Sequence, residues 1–68
     1  MTTDELFNAL PACVEDLNGW PALLKVRKRD DLFISGYYAE DGSELFEAQD
    51  KDINKCLTKT YEQLIKGM

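Results

Sequence analysis

The dipeptide Asp41-Gly42 constrains the fold more than any other feature of this chain, because it is a strong local signal for a tight β-hairpin turn. It lies between two segments rich in strand-forming residues, 32–38 and 43–48. A third segment, 20–28, alternates apolar and polar residues, and a polar turn at 28–31 separates it from the next strand. The sequence therefore predicts three consecutive antiparallel strands.

The length of the hairpin loop decides which side chains of these strands face the core. A two-residue loop would pair Tyr38 with Leu45, whereas a three-residue loop with a bulge at Gly42 would pair Tyr37 with Leu45. We expect the bulged form. Its core face would contain Leu32, Ile34, Gly36, Phe46 and Ala48, and its opposite face Phe33, Tyr37 and Leu45.

Gly36, in the middle of the second predicted strand, has two interpretations. A glycine inside a strand usually marks a bulge or a close approach of another segment. It could instead leave room for the side chain of a partner. We expect the structural explanation.

A helical pattern precedes the strands. Thr2 and Glu5 have the spacing of a capping box. Apolar residues then recur at helical spacing, at Leu6, Leu10, Cys13, Val14 and Leu17. Pro11 interrupts this pattern because it lacks the backbone N–H and clashes with the preceding turn. Either a kinked helix over residues 3–17, ended by Asn18-Gly19, or a short turn and a helix beginning near Pro11 would fit.

A second helical pattern follows the strands. We expect Asp50 to cap a helix that runs to Lys66 and ends at Gly67. Its predicted buried stripe consists of Ile53, Cys56, Leu57, Thr60 and Leu64. The predicted fold is thus a single α+β domain over residues 1–68, a three-stranded antiparallel sheet with the N- and C-terminal helices on one face (αβββα). The chain is too short to cover both faces of the sheet.

The residue types that most enzymes use are scarce. The chain has no histidine, which removes the commonest general base and metal ligand. The segment 50–54 begins like a calcium-binding loop, but Lys55 stands where such loops need glycine and Tyr61 where they need glutamate. We therefore expect a protein that is not an enzyme and binds no metal or cofactor.

The two cysteines, Cys13 and Cys56, are too far apart in sequence for a redox or zinc motif. Both fall on predicted apolar helix faces, so we expect buried free thiols, with a disulfide possible only if the two helices touch. The N-terminus lacks the basic and apolar segments of a secretory signal, and no apolar run is long enough to span a membrane. These observations predict a cytoplasmic protein.

Charge is distributed unevenly around a net value of −5. Residues 25–29 carry four positive charges, whereas residues 30–50 carry seven negative charges and no positive one. Such a chain should be repelled by nucleic acid and by anionic membranes, and attracted to a basic groove on a protein partner. We expect a monomer in the absence of that partner.

Two functional hypotheses follow. The first is an inhibitor whose carboxylates imitate the phosphates of DNA, which proteins meet with lysine and arginine. Its predicted partner-binding residues are Asp30, Asp31, Glu40, Asp41, Glu44, Glu47 and Asp50. The second is a structural or adaptor protein that self-associates or docks through an exposed aromatic sheet face, formed by Phe33, Tyr37 and Leu45.

Size, acidity, the αβββα order and the hairpin segment GYYAEDGSELFEAQ (36–49) together resemble the small anti-CRISPR proteins encoded by phages and mobile elements. The resemblance is to inhibitors of type I (Cascade-type) systems, type I-C among them, and covers the whole chain in architecture and charge. It implies a stoichiometric inhibitor, in the cytoplasm of a bacterial host, that occupies a DNA-binding or PAM-reading surface of a Cascade subunit. The basic segment 25–29 departs from a purely acidic DNA mimic.

Overall fold

Along the chain, four antiparallel strands follow one helix and precede another in the computed structural model, which describes residues 1–67. The elements are α1 (Thr3–Ala9), β1 (Cys13–Glu15), β2 (Pro21–Arg29), β3 (Leu32–Ala39), β4 (Glu44–Asp50) and α2 (Ile53–Lys66). The sheet order is β1-β2-β3-β4, so each strand pairs with its neighbour in sequence. The α+β class is confirmed, but the prediction of three strands is wrong by one. Met68, the last residue of the predicted domain, lies outside the described residues.

The additional strand comes from the segment expected to be helical. Thr2 and Glu5 form the predicted capping box, but α1 ends before Pro11, with Leu10 in an extended conformation. A residue that precedes proline is restricted in this way, because the proline ring disfavours the helical conformation there. The chain then enters β1, whose Val14 pairs with Ala22 of β2. Both helical alternatives for the segment after Pro11 are therefore wrong.

Both helices pack on the same face of the sheet. Leu6 and Leu10 of α1 form a buried cluster with Leu57 of α2. Leu24 and Val26 of β2 pack against this cluster from the sheet. The other face of the sheet, which the helices leave uncovered, is called the open face below.

Helix α2 follows its prediction except at its start. Asp52, rather than Asp50, caps the helix by accepting a hydrogen bond from the Lys55 backbone N–H at 3.1 Å. The Asp50 carboxylate instead accepts the Asp52 N–H at 2.9 Å, just before the helix. The predicted stripe does face the core: Cys56, Leu57 and Thr60 are buried, and Ile53 and Leu64 are half-buried.

The β3–β4 hairpin has the expected three-residue loop but not the expected register. The loop is closed by the Ala39 N–H, which donates to the Ser43 carbonyl at 2.9 Å, and Gly42 has a φ of +88°. Tyr37 nevertheless pairs with Phe46, whereas Tyr38 pairs with Glu44. Leu45 is thus an extra residue without a partner on β3. This β-bulge shifts the pairing of β3 with the rest of β4 by one residue.

This bulge reverses the predicted faces of β3. The β3 side chains that face the helices are those of Phe33, Ser35 and Tyr37, and their neighbours Phe46 and Ala48 on β4 share this face. Leu32, Ile34 and Gly36 belong to the open face. The predicted assignment of β3 is therefore wrong. Tyr37 is fully buried, and its hydroxyl donates to the Pro11 carbonyl at 2.7 Å, which ties the segment after α1 to the sheet.

Small polar side chains join α2 to β3 inside the core. The hydroxyls of Ser35 and Thr60 are hydrogen-bonded to each other, and Thr60 also donates to the Ser35 carbonyl at 3.2 Å. The Cys56 thiol donates to the Phe33 carbonyl at 3.2 Å. Cys56 is buried and free as predicted, but Cys13 lies on β1 and is exposed, which contradicts its predicted burial on a helix.

Candidate functional site

The predicted acidic residues are divided between the two ends of the sheet. Asp30 and Asp31 form the turn between β2 and β3, whereas Glu40 and Asp41 lie in the turn between β3 and β4, and Glu44 begins β4. Strand β3 has eight residues and separates the two turns by roughly 26 Å at about 3.3 Å per residue. The structure does not bring these carboxylates together on one surface.

Glu47 and Asp50 are engaged within the protein. Glu47 lies on the open face and accepts a hydrogen bond from Tyr38, which is the main reason that its pKa is lowered. Asp50 has a lowered pKa because it accepts the Asp52 N–H and lies 3.0 Å from the Lys59 ammonium. Glu47 also lies 3.5 Å from the Arg27 guanidinium, so a basic side chain of the protein already pairs with each of these two carboxylates.

The turn between β1 and β2 adds carboxylates that the sequence reasoning missed. The Asp16 carboxylate accepts the backbone N–H groups of Asn18 at 2.8 Å and of Trp20 at 3.0 Å. The Asp16 N–H donates to the Trp20 carbonyl at 2.9 Å, and Gly19 has a φ of +80°. Asp followed two residues later by Asn-Gly is the signal that could have identified this turn. The result is a rigid loop that begins directly after Glu15.

This turn meets the β3–β4 turn along a groove of about 380 Å³, here called the acidic groove. It is lined by Asp16, Asn18, Trp20, Pro21, Ala39, Glu40, Asp41 and Ser43. Three of these side chains are carboxylates and, among the described residues, none of the lining side chains is basic. The side chain of Trp20, which also lines the groove, is 64% exposed. The groove therefore combines negative charge with an accessible aromatic ring.

Asp41 is held in its ionised form within this groove. Its carboxylate accepts hydrogen bonds from the Ser43 hydroxyl at 2.6 Å and from the Ser43 N–H at 2.9 Å. Both bonds lower the pKa of Asp41, and the bond from the Ser43 hydroxyl has the larger effect. The same contacts fix the direction of the carboxylate, so its charge is presented from a defined position.

A second groove, of about 410 Å³, lies on the other side of the β1–β2 turn and is here called the apolar groove. It is lined by Val14, Glu15, Asp16, Leu17, Leu45, Phe46, Gln63, Leu64 and Gly67. Leu17 is fully exposed and Leu45 is 40% exposed. Asp16 lines both grooves, so the turn forms a ridge between them. The two turns, with the adjacent Glu15 and Glu44, are called the acidic end below.

The basic segment lies on a different surface. Lys25, Arg27 and Arg29 alternate along β2 on the open face, and the charged groups of Lys25 and Arg27 lie 5.7 and 5.8 Å from the centre of the Tyr38 ring. Lys28 points to the opposite face, 5.3 Å from the Phe33 ring. The positive charge thus lies along a strand, whereas Asp16, Glu40 and Asp41 lie in or beside the turns. Glu44 shares the open face with Lys25 and Arg27.

The predicted aromatic docking surface is not present on the open face. Tyr37 is buried beneath the helices, and Phe33 is half-buried on that same side of the sheet. Only Leu45 of the three predicted residues is exposed, at the bulge of β4. The physical reason is again the bulge, which exchanges the faces of β3 relative to the expected register.

No family model matches the sequence, and no curated protein or solved structure matches it either. Within residues 1–67, no three or more histidine, cysteine, aspartate or glutamate side chains are placed to hold a metal ion together. In the same part of the chain, no helix has the length and apolarity needed to cross a membrane.

Proposed function

We propose that this chain is a non-enzymatic inhibitor that binds a basic, nucleic-acid-binding surface of a protein partner through its acidic end. The observation that carries this proposal is the acidic groove, which the carboxylates of Asp16, Glu40 and Asp41 line together with the exposed Trp20. Carboxylates on hydrogen-bonded turns can occupy the positions that DNA phosphates take opposite lysine and arginine. The aromatic ring can in turn stack against an arginine side chain of the partner.

The proposed binding surface is narrower than the seven predicted residues. It keeps Glu40, Asp41 and Glu44 from that set and gains Glu15 and Asp16 from the β1–β2 turn. Asp30 and Asp31 lie at the other end of the sheet and are left out. A cluster of carboxylates with no basic residue in either turn attracts a basic groove and favours fast association with it.

The resemblance to type I anti-CRISPR proteins suggests a Cascade subunit as the partner. The direct test is a pull-down with a purified type I Cascade, washed first at low and then at high salt. We expect capture at low salt and release at high salt, because salt screens attraction between exposed charges. Capture that persists at high salt would contradict a mainly electrostatic interaction.

A matched pair of variants locates the surface. Glu40→Lys with Glu44→Lys reverses two charges at the acidic end, and Asp31→Lys with Glu62→Lys reverses two exposed charges elsewhere. Both variants change the net charge equally. We expect the first to abolish capture and the second to leave most of it. Equal effects would show that only net charge matters, and full capture by the first variant would contradict the proposal.

A further inference from the structure

The acidic end also carries exposed apolar side chains, which attraction between charges does not explain. Leu17 is exposed over its whole side chain at the tip of the β1–β2 turn, and Leu45 is 40% exposed across the apolar groove from it. Val14, Phe46 and Leu64 line the same groove and are only half-buried. Contiguous exposed apolar groups of this kind mark interaction surfaces more often than scattered ones do.

We propose that the apolar groove is the docking site for an amphipathic, basic segment of the protein partner. The apolar side of that segment packs against Leu17 and Leu45, and its lysine or arginine side chains lie over Glu15 and Asp16. This inference rests on the proposed function, since it specifies the kind of partner surface that the acidic end binds.

Charge complementarity selects this occupant. Glu15 and Asp16 are the charged residues that line the groove, and both are acidic. Asp16 also lines the acidic groove with Glu40 and Asp41, so basic side chains can reach carboxylates on both sides of the ridge. An acidic or neutral apolar segment would bury the same leucines but bring no positive charge to Glu15 and Asp16.

The turn is already ordered for such docking. The Asp16 carboxylate accepts the backbone N–H groups of Asn18 and Trp20, and these two bonds close the loop that carries Leu17. A loop that is fixed before binding loses little conformational entropy when the partner arrives. The backbone that carries Leu17 is therefore held by these bonds before a partner binds.

Leu23 supplies a control on the same molecule. It is 50% exposed, like Leu45 of the groove, but it lies on the open face of β2 and does not line the apolar groove. Replacing Leu23 therefore removes exposed apolar surface without touching the proposed docking site.

The test uses a synthetic helical peptide with leucine on one side and lysine on the other, and a scrambled peptide of identical composition. Binding is measured by calorimetry and by the fluorescence of Trp20, the single tryptophan of the chain. We expect the amphipathic peptide to bind about tenfold more tightly or better, because burial of even one leucine side chain accounts for such a factor. Equal binding of the two peptides would overturn the inference.

The variants decide where the peptide binds. Leu17→Ser with Leu45→Ser should weaken binding of the amphipathic peptide by about tenfold or more, and Leu23→Ser should leave it unchanged. Comparable losses in both variants would overturn the inference.

If the double leucine variant binds normally while Glu40→Lys with Glu44→Lys does not, the docking inference fails and the proposed function stands. If the leucine dependence is found but Cascade is not captured, the groove is retained and the proposed partner is wrong.

Discussion

The Tyr38 hydroxyl donates a hydrogen bond to the Glu47 carboxylate across the open face of the sheet. Arg27 approaches the same carboxylate to 3.5 Å from the other side. Gly36 pairs with Lys25 on one side and with Glu47 on the other, so β3 carries no side chain at this point of the open face. This network covers the sheet where the helices do not, and it accounts for the burial of Tyr38 on that face.

The Glu47 carboxylate makes stability depend on acid pH. Its pKa is lowered, chiefly by the hydrogen bond from Tyr38, so its contribution is present above the ordinary value of 4.5 and is lost as pH falls through the lower folded value. Glu47→Gln keeps the size but loses the charge, and should lower the free energy of unfolding at neutral pH by about 1 kcal/mol. Urea unfolding at neutral and acid pH measures this effect. The variant should also lose less stability on acidification than the wild type, and an identical loss would contradict the assignment.

Tyr38 imposes the opposite dependence at alkaline pH. Burial, followed by the bond to Glu47, raises its pKa from 10.0 to about 12, and burial also raises the pKa of Tyr37. A raised tyrosine pKa stabilises the fold below the unfolded value, and this stabilisation is lost as pH rises from 10 towards 12. Tyr38→Phe should make stability in this range less sensitive to pH. Ultraviolet titration of the folded wild type should show delayed tyrosinate formation, whereas ionisation of every tyrosine near 10.0 would contradict this prediction.

Gly36 is required by the close approach of β4. A Cβ atom placed there would clash with the Phe46 carbonyl oxygen and lie 2.9 Å from the Glu47 Cα, both of which are backbone atoms that cannot rotate away. We expect Gly36→Ala to destabilise the protein by about 1–3 kcal/mol in chemical denaturation. Gly67→Ala is the matched control, because φ at Gly67 is −77° and the nearest atoms lie at 3.6 Å. A comparable loss in both variants would mean that the clash is not the cause.

The fold class, the capping box and α2 could be predicted because each depends on local chemistry. The faces of β3 could not, because this strand is apolar on both sides and its pattern fits either register. The deciding groups are distant in sequence: Ser35 is satisfied only by bonds with Cys56 and Thr60 on α2. The bulge at Leu45 that permits this arrangement has no distinctive local sequence.

The acidic β3–β4 turn could also be predicted, but half of the candidate site could not. Val14 and Leu17 fit helical spacing as well as an extended segment, and three residues of β1 are too few to establish an alternation. The Asn18-Gly19 pair consequently fits the end of a helix as well as it fits a turn. In the structure it completes a turn organised by Asp16, which brings Trp20 beside Glu40 and Asp41.

The two thiols should differ sharply in reactivity. Cys13 is exposed on β1, whereas Cys56 is fully buried and its sulfur lies within hydrogen-bonding distance of the carbonyls of Phe33 and Ala48. A thiol-reactive aromatic disulfide should therefore modify one thiol per folded chain quickly, and the second only at the rate of unfolding. Cys13→Ser should remove the fast phase alone. Rapid modification of both thiols in native buffer would contradict the packing of α2 on β3, because the reagent reaches Cys56 only when that contact opens.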